Sequence, residues 1–140
     1  MIGKKYNISS IEKLSSVALE LLTLSDNRIF ALYGEMGVGK TTLVKQFCYH
    51  LKIIDSVSSP TFSLVNEYIN CDGNKIFHFD LYRVDDVSEL IKMGFDTYLN
   101  SGHYCFIEWP NLVEPLLLNS HYTSIKIVDA DNKRELYLLD

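Results

Sequence analysis

The sequence predicts an α/β fold in which helices cover both faces of a mixed β-sheet. An amphipathic helical pattern precedes a short apolar strand, and a glycine-rich segment joins that strand to a second helix. Later in the chain, two pairs of strand-like segments are separated by tight-turn sequences. Helices that alternate with buried strands indicate a parallel sheet, and tight turns add antiparallel strands to it. We therefore expect a three-layer sandwich around a mixed sheet.

The composition is that of one globular domain. The chain has 140 residues, of which 47% are hydrophobic and 22% are charged, so we expect a single unit over 1–140. Its net charge of −5 gives no general electrostatic attraction to nucleic acid. No apolar run approaches the roughly 18 residues of a membrane span, and the N-terminus lacks the apolar core of a signal peptide. We therefore expect a cytoplasmic protein that does not associate with a membrane.

The first predicted elements are a helix and a strand. Ser9 and Glu12 have the spacing of a capping box, in which a hydroxyl accepts from a backbone N–H and a carboxylate reaches back. Apolar residues then recur at helical spacing from Ile11 to Leu22. After a turn, the segment Arg28–Tyr33 is predicted to form a strand that is buried on both faces, which is typical of the centre of a parallel sheet.

A hairpin and a helix are predicted in the middle of the chain. Phe62–Ile69 and Lys75–Tyr82 are strand-like. The Asp72-Gly73 pair between them supplies the positive φ angles that tight hairpins require. Val87–Met93 then predicts a helix, with Gly94 as its stop.

The last third of the chain is predicted to add a buried strand, a short helix and a closing hairpin. His103–Glu108 is an apolar strand that ends before a Trp-Pro pair, and Val113–Leu118 is the short helix. Ser124–Val128 and Glu135–Leu139 flank a polar segment and form the hairpin.

The cysteines and histidines predict no metal site. Cys48, Cys71 and Cys105 are far apart and have neither C-x-x-C nor zinc spacing. We expect them to be reduced and buried. The four histidines are equally scattered, which argues against a histidine metal site.

The glycine-rich segment has the pattern of a phosphate-binding loop. Residues 34–41 satisfy G-x-x-x-x-G-K-[ST] in full, between a predicted strand and a predicted helix. Glycines let successive backbone N–H groups converge on phosphate oxygens, Lys40 neutralises phosphate charge, and the Thr41 hydroxyl is a ligand for Mg²⁺. The motif therefore refines the fold prediction to a P-loop NTPase-like sandwich. The predicted nucleotide-binding residues are Glu35, Met36, Gly37, Val38, Gly39, Lys40, Thr41 and Thr42.

Two acidic residues follow apolar strands and complete the predicted site. Asp80 ends the strand Phe-His-Phe-Asp, and Glu108 ends the strand Phe-Ile-Glu. A nucleoside triphosphatase needs a carboxylate at such a strand end to hold Mg²⁺ or to orient water. We therefore predict that both residues take part in the site.

The sequence argues against two common classes of P-loop protein. A GTPase would carry D-x-x-G where Arg83 takes the place of glycine, and N-K-x-D where residues 132–135 end in glutamate. A small-molecule kinase generally carries a lid rich in arginine, but the chain has arginine at three positions only: Arg28, Arg83 and Arg134.

The chain contains four motifs in order: Gly-Glu-Met-Gly-Val-Gly-Lys-Thr-Thr at 34–42, Ser-Pro-Thr-Phe-Ser-Leu-Val at 59–65, His-Phe-Asp-Leu-Tyr-Arg at 78–83 and Ile-Glu-Trp-Pro at 107–110. Together they resemble the TsaE (YjeE) family, the bacterial ATPases of tRNA threonylcarbamoyladenosine biosynthesis. The resemblance extends from the first helix to Pro110. The segment 89–94 also looks like the family's sequence after the Tyr-Arg pair.

The resemblance implies a small ATPase that binds ATP and Mg²⁺ and associates with the proteins TsaD and TsaB. It contacts tRNA indirectly, through a complex that transfers threonylcarbamoyl to an adenosine of tRNAs reading ANN codons. By the same resemblance, Lys40 and Thr41 are phosphate and metal ligands, and Thr61 lies in a switch-like loop near the γ-phosphate. Asp80 and Glu108 are the acidic pair; their division of roles is left open, with Glu108 favoured for the metal. Self-association is also left open.

Two other functions remain as alternatives: a nucleotide-dependent binding module whose hydrolysis is dispensable, and a small-molecule P-loop kinase. For the ATPase we expect low activity alone and activation when TsaD and TsaB dock near Thr61 and Trp109. Trp109 is either an exposed reporter or partner contact, or a half-buried aromatic at a strand end. Arg83 either neutralises charge on the phosphates or forms a salt bridge with Asp85 or Asp86. Arg134 is a further candidate for nucleotide contact.

Overall fold

The computed structural model describes residues 2–60 and 64–139, which build one seven-stranded sheet with helices on both faces. The strands are β1 (Ile2–Asn7), β2 (Ile29–Tyr33), β3 (Val65–Ile69), β4 (Lys75–Asp80), β5 (Tyr104–Glu108), β6 (Tyr122–Ala130) and β7 (Lys133–Leu139). The helices are α1 (Ile11–Leu24), α2 (Lys40–His50), α3 (Val87–Lys92), α4 (Phe95–Leu99) and α5 (Glu114–Leu117), with a 3₁₀ turn over Pro110–Val113 before α5.

The sheet is parallel in its centre and antiparallel at both edges. The strand order is β1-β7-β6-β2-β5-β4-β3. Strands β6, β2, β5 and β4 run parallel, whereas β3 is antiparallel to β4, and β7 is antiparallel to both β6 and β1. This topology confirms the predicted mixed sheet. It also brings the carboxyl ends of β2, β5 and β4 to one edge, where ligand sites of α/β sheets form.

Side chains of the central strands alternate between two separate cores. Phe30 and Leu32 of β2 pack toward α1 and α2, whereas Ile29 and Ala31 pack on the face that α3, α4 and α5 cover. Because the side chains of a strand point alternately to opposite faces, one apolar strand contributes to both cores. The three-layer arrangement is therefore confirmed.

An aromatic stack ties α2 to the sheet. Phe47 of α2 lies parallel to Phe106 of β5, with a ring–centroid distance of 4.8 Å and an interplanar angle of 5°. Phe30 of β2 contacts both rings, at 5.2 Å and 5.5 Å. Aromatic pairs of this kind contribute about 0.5–1.5 kcal/mol each beyond the apolar area that they bury.

The first helix begins one residue later than its capping pattern predicts. Ser10, not Ser9, is the N-cap, and its hydroxyl accepts from the backbone N–H of Lys13 at 3.2 Å. Ser9 instead accepts from the backbone N–H of Arg134 at 3.2 Å, next to the pairing of β1 with β7. The hairpin therefore takes the hydroxyl that the capping-box interpretation assigned to the helix.

Two elements were not predicted. Residues 3–5 and 7 of β1 are exposed, and this edge strand pairs with β7 alone, so it lacks the apolar alternation that would reveal it. Gly94 has a φ of 82° and ends α3 as predicted, but it is also the N-cap of α4. The stop at Gly94 is thus a bend between two short helices, which Phe95 anchors because its side chain is fully buried.

Most other predicted elements are present with shifted ends. The strand predicted at 75–82 ends at Asp80, and the predicted helix at 113–118 is divided between the 3₁₀ turn and α5. Residues 62–63 of the predicted strand 62–69 lie outside the described residues.

The expectation of three buried thiols is wrong for Cys71, which is exposed in the β3–β4 turn, whereas Cys48 and Cys105 are buried. In the described part of the chain, no helix has both the length and the apolar character that a membrane span needs.

Candidate nucleotide-binding site

The glycine-rich loop joins β2 to α2 at the carboxyl edge of the sheet. Gly39 is the N-cap of α2 and has a left-handed backbone with a φ of 114°. A Cβ atom at this position would lie 3.4 Å from Nη1 of Arg134. Gly39 thus marks the N-terminus of α2, where free backbone N–H groups and the helix dipole favour an anion.

Lys40 is folded back over the loop. Its side chain is buried, and Nζ donates to the carbonyl oxygens of Gly34 and Glu35, the latter at 3.1 Å. Nζ also lies 3.8 Å from the centroid of the Trp109 ring, within cation–π distance. Burial lowers the pKa of Lys40, while the charges of Glu108 and Asp80 act in the opposite direction. A flexible cation is thus held beside the loop by contacts that a phosphate can replace.

Thr41 connects the loop to the acidic end of β5. Its Oγ1 lies 2.9 Å from both carboxylate oxygens of Glu108 and 2.7 Å from the hydroxyl of Ser59. A carboxylate can only accept, so Thr41 donates to Glu108 and accepts from Ser59. Ser59 was not predicted as a contact of Thr41, because 18 residues separate them in sequence.

Glu108 is buried and has a second partner on the opposite side. Only 3% of Glu108 is exposed, and Nε2 of the fully buried His78 lies 2.6 Å from its Oε2. Thr41 and His78 therefore provide this buried carboxylate with hydrogen bonds from two sides. Burying an ionised carboxylate requires such partners.

Asp80 lies beside Glu108 on the neighbouring strand. The two residues are paired in the parallel register of β4 and β5, and Asp80 is half-buried. Its Oδ1 accepts from the backbone N–H of Tyr82 at 3.2 Å. Burial, followed by the charge of Glu108, raises the pKa of Asp80, and the Tyr82 hydrogen bond, His78 and Lys40 oppose this shift.

Lys40, Thr41, Asp80 and Glu108 line one cleft of about 210 Å³ at the carboxyl edge of the sheet. Of the predicted site residues, Glu35 and Val38 do not line it: they border a separate cleft across the loop, and Val38 is itself buried in the core. Thr61 lies outside the described residues. The residues that line the smaller cleft are Met36, Gly37, Gly39, Lys40, Thr41, Thr42, Ser59, Asp80 and Glu108.

The donor atoms in this cleft suit a hard divalent cation. Thr41 offers a hydroxyl, and Asp80 and Glu108 offer carboxylates, which are the oxygen ligands that Mg²⁺ prefers. Within residues 2–60 and 64–139, no three His, Cys, Asp or Glu side chains cluster as a metal cage. A hydroxyl and two carboxylates fit Mg²⁺, which usually keeps several waters and takes further oxygens from phosphates.

The structure also places Trp109, Arg83 and Arg134, whose roles the sequence left open. Trp109 is half-buried, with a φ of 57°, and packs against the exposed ring of Tyr82 at 5.0 Å. Arg83 is exposed, and in the described residues it forms no ion pair, so the predicted salt bridge is not observed. Arg134 lies beside Gly39 and forms an ion pair with Asp129 at 3.6 Å.

In comparisons with known proteins, the chain matches a family model and several proteins that are all described as TsaE. A family model described as threonylcarbamoyl adenosine biosynthesis protein TsaE matches residues 8–136. The tRNA threonylcarbamoyladenosine biosynthesis protein TsaE of Haemophilus influenzae is 41% identical over 98 residues, which are 70% of this chain and 61% of that protein. The protein of the same name from Bacillus subtilis is 35% identical over 108 residues, which are 77% of this chain and 66% of that protein.

The matches differ in how much of each relative they span. The matches to the first two relatives cover less than two thirds of those proteins, whereas TsaE of Rickettsia bellii is 34% identical over 139 residues, which are 95% of this chain and 93% of that protein. This structure also resembles the crystal structure of Bacillus subtilis YdiB, with a TM-score of 0.72 and 27% sequence identity. The match covers 99% of this chain and 86% of the YdiB chain. This similarity confirms the predicted P-loop NTPase-like α/β fold. The chain belongs to the TsaE family of tRNA threonylcarbamoyladenosine biosynthesis proteins.

Proposed function

We propose that this protein is a Mg²⁺-dependent ATPase of low intrinsic activity that serves as an accessory subunit of a TsaD–TsaB assembly in tRNA threonylcarbamoyladenosine biosynthesis in the cytoplasm. The observation that carries the proposal is the link between the phosphate loop and an acidic strand end. Thr41, the hydroxyl residue of the loop motif, contacts both carboxylate oxygens of Glu108 at 2.9 Å. This juxtaposition of a hydroxyl and a carboxylate at a phosphate loop is the arrangement that metal-assisted phosphoryl transfer requires.

Phosphate binding falls to the loop and to Lys40. The N-terminus of α2 and the loop N–H groups provide a cradle for anions. Lys40 exchanges its contacts with the carbonyl oxygens of Gly34 and Glu35 for phosphate oxygens. This exchange keeps the buried ammonium hydrogen-bonded, and it adds charge neutralisation, so the phosphate complex is favoured.

The positions of the strands support different roles for the two acids. Glu108 ends β5, which pairs with β2 directly, whereas Asp80 ends β4, one strand farther from the loop. Neighbouring strands are about 4.8 Å apart, so Asp80 stands about that much farther from the loop strand than Glu108 does. We assign Glu108, with Thr41, to the metal, and we assign Asp80 to the orientation of the attacking water. The bound Mg²⁺ would supply electrostatic stabilisation of the charge on the phosphoryl group.

The base specificity rests on the absence of a guanine-reading motif. Residues 132–135 have glutamate where the motif needs aspartate, and 133–135 belong to β7. We therefore expect Mg²⁺-ATP to bind more tightly than Mg²⁺-GTP. Calorimetric titration with both nucleotides tests this assignment, and equal or stronger binding of GTP would contradict it.

The low intrinsic rate follows from the lack of an arginine that is committed to the γ-phosphoryl group. Arg83 is exposed and Arg134 pairs with Asp129. A missing arginine commonly costs on the order of 10³–10⁵ in rate. We propose that TsaD–TsaB docks near Thr61 and Trp109 and completes the site. An unchanged ATPase rate after addition of TsaD–TsaB would refute this activation.

The catalytic assignment is tested by three variants and one control. Lys40→Ala should weaken ATP binding by about 10- to 100-fold, because it removes charge-assisted hydrogen bonds worth about 1.5–3 kcal/mol. At saturating Mg²⁺, Glu108→Gln and Asp80→Asn should retain ATP binding within a few-fold and lower turnover in the complex by on the order of 100-fold. Glu12→Gln, an exposed change on α1, is the control and should match the parent. Parent-like turnover by both amide variants would refute the acidic pair.

One further measurement separates hydrolysis from binding. We expect Glu108→Gln to block repeated cycles of tRNA modification, because hydrolysis resets the partner complex. Full multiple-turnover modification by this variant would instead support the nucleotide-dependent binding module. Phosphorylation of a small molecule would support the kinase.

A further inference from the structure

A buried imidazole beside the site has no role in the function proposed so far. His78 lies on β4, is fully buried, and places its Nε2 2.6 Å from Oε2 of Glu108. We infer that His78 is a positioning residue, which fixes the orientation of the Glu108 carboxylate toward the metal. This inference rests on the proposed ATPase function.

The chemistry of the pair determines which group donates. The Glu108 carboxylate can only accept, so the proton lies on Nε2 of His78. The other ring nitrogen, Nδ1, is buried and has no hydrogen-bond partner in the described part of the chain. An apolar residue would fill this core position without an unpaired polar atom. The bond to Glu108 is therefore the interaction that accounts for an imidazole at this position.

Glu108 accepts hydrogen bonds from Thr41 on the cleft side and from His78 on the core side. Thr41 lines the cleft and donates from that side, whereas His78 does not line the cleft and is enclosed by the core. A Mg²⁺ ion bound to the Thr41 hydroxyl oxygen would shift this hydroxyl and so change the geometry of its hydrogen bond to Glu108. The bond from His78 is unaffected by that change, so Glu108 keeps one oxygen fixed while the other faces the cleft.

The same bond connects the two acids of the site. His78 and Asp80 are two residues apart on β4, so their side chains lie on the same face of the sheet. Glu108 is on β5, directly opposite Asp80. The hydrogen bond from His78 therefore links the Glu108 carboxylate to β4, the strand that also carries Asp80. It limits changes in the position of Glu108 relative to Asp80.

The test compares three replacements at His78 with a packing control. His78→Leu and His78→Asn remove the hydrogen bond, since leucine has no donor and asparagine is too short, whereas His78→Gln offers an amide N–H at a similar reach. Ile76→Ala alters the same strand and the same core, because Ile76 is also buried and is two residues from His78. ATP affinity is measured by calorimetry in EDTA and over a series of Mg²⁺ concentrations, together with the thermal midpoint.

The expected result is a selective loss of the response to Mg²⁺. His78→Leu and His78→Asn should raise the Mg²⁺ concentration needed for tight ATP binding by about 10- to 100-fold, the range for loss of an outer partner of a metal ligand. Their ATP affinity in EDTA should stay within about twofold of the parent, and His78→Gln should restore most of the response. Ile76→Ala should lower the thermal midpoint without changing the Mg²⁺ requirement.

A double variant shows whether His78 acts through Glu108. In a Glu108→Gln background, His78→Asn should change the Mg²⁺ requirement by less than about twofold, because the partner is already altered. An unchanged Mg²⁺ requirement in folded His78→Asn would overturn the inference, as would an equal change in Ile76→Ala. If His78→Leu does not fold, the Asn and Gln variants carry the same comparison. A parent protein that does not bind ATP would instead refute the proposed function itself, and with it the inference.

Discussion

Gly34 opens the phosphate loop directly after β2, and its replacement by alanine should destabilise the fold as well as the loop. Its φ of 150° lies in a region that side chains rarely adopt. A Cβ atom would also lie 2.9 Å from the carbonyl oxygen of Ile127, which belongs to β6, the strand paired with β2. Because that contact is with backbone, the methyl group can be accommodated only if the loop or the backbone of β6 shifts. Gly37 provides a matched control: its φ is 78°, but a Cβ atom there meets nothing within 4 Å.

The two substitutions should differ by about 1–3 kcal/mol, the steric overlap that applies at Gly34 alone. At Gly34, backbone strain contributes about 1–3 kcal/mol and steric overlap about a further 1–3 kcal/mol, which gives about 2–6 kcal/mol in total. At Gly37 only the strain applies, at about 1–2 kcal/mol. Single domains unfold with free energies of about 5–15 kcal/mol, so Gly34→Ala should remove a large fraction of the stability.

Equilibrium unfolding in urea, followed by far-UV circular dichroism at 25 °C, measures both changes. The linear dependence of the unfolding free energy on urea gives the difference, provided that the slope is the same for both variants. Calorimetric titration with Mg²⁺-ATP then separates loop damage from loss of stability. Equal destabilisation by Gly34→Ala and Gly37→Ala would refute the argument from the Ile127 contact, and so would a Gly34→Ala protein within 0.5 kcal/mol of the parent, a margin typical of changes at neutral surface sites.

Two further predictions concern thiols and the hairpin arginine. Burial raises the pKa of Cys48 and of Cys105 to about 12, so at pH 8 only about one thiol in ten thousand is ionised at each. Titration with a thiol-reactive chromophore should therefore label the exposed Cys71 alone in the native protein and all three cysteines in urea; rapid native labelling of more than one would contradict the burial. Arg134→Ala should weaken ATP binding by about three- to tenfold, because it removes a partly exposed cation beside the phosphate loop. The exposed Lys133→Ala is its control, and calorimetry that finds equal affinities for both variants would remove Arg134 from the site.

The fold was predictable where sequence periodicity reflects burial. Strand β2 is buried on both faces, and the loop motif marks both its end and the start of α2. Strand β1 was missed because its exposed lysines, Lys4 and Lys5, belong to an edge strand that only β7 stabilises. Helix α4 was missed because a glycine after α3 predicts an end, whereas burial of Phe95 starts a new helix.

The candidate site was predictable as a set of residue types but not as a set of contacts. The loop motif and the two strand-end acids are visible in the sequence, because each is local. The hydrogen bonds of Glu108 to Thr41 and His78 span 67 and 30 residues, and no spacing rule predicts them. The contact between Lys40 and Trp109 likewise depends on the pairing of β2 with β5. One signal was available: His78 interrupts an apolar strand on the same face as Asp80.

The aromatic stack of Phe30, Phe47 and Phe106 has a consequence for the thermodynamics of ligand binding. It anchors α2 to two central strands about two turns behind the phosphate loop. The helix end that faces the ligand is therefore preorganised, and little binding free energy is spent on ordering it. Amide protons in the middle of α2 should then exchange with solvent at nearly the same slow rate with and without nucleotide. Under the proposed function, ordering of α2 on nucleotide binding is thereby confined to side chains such as Lys40, which is a small entropic cost.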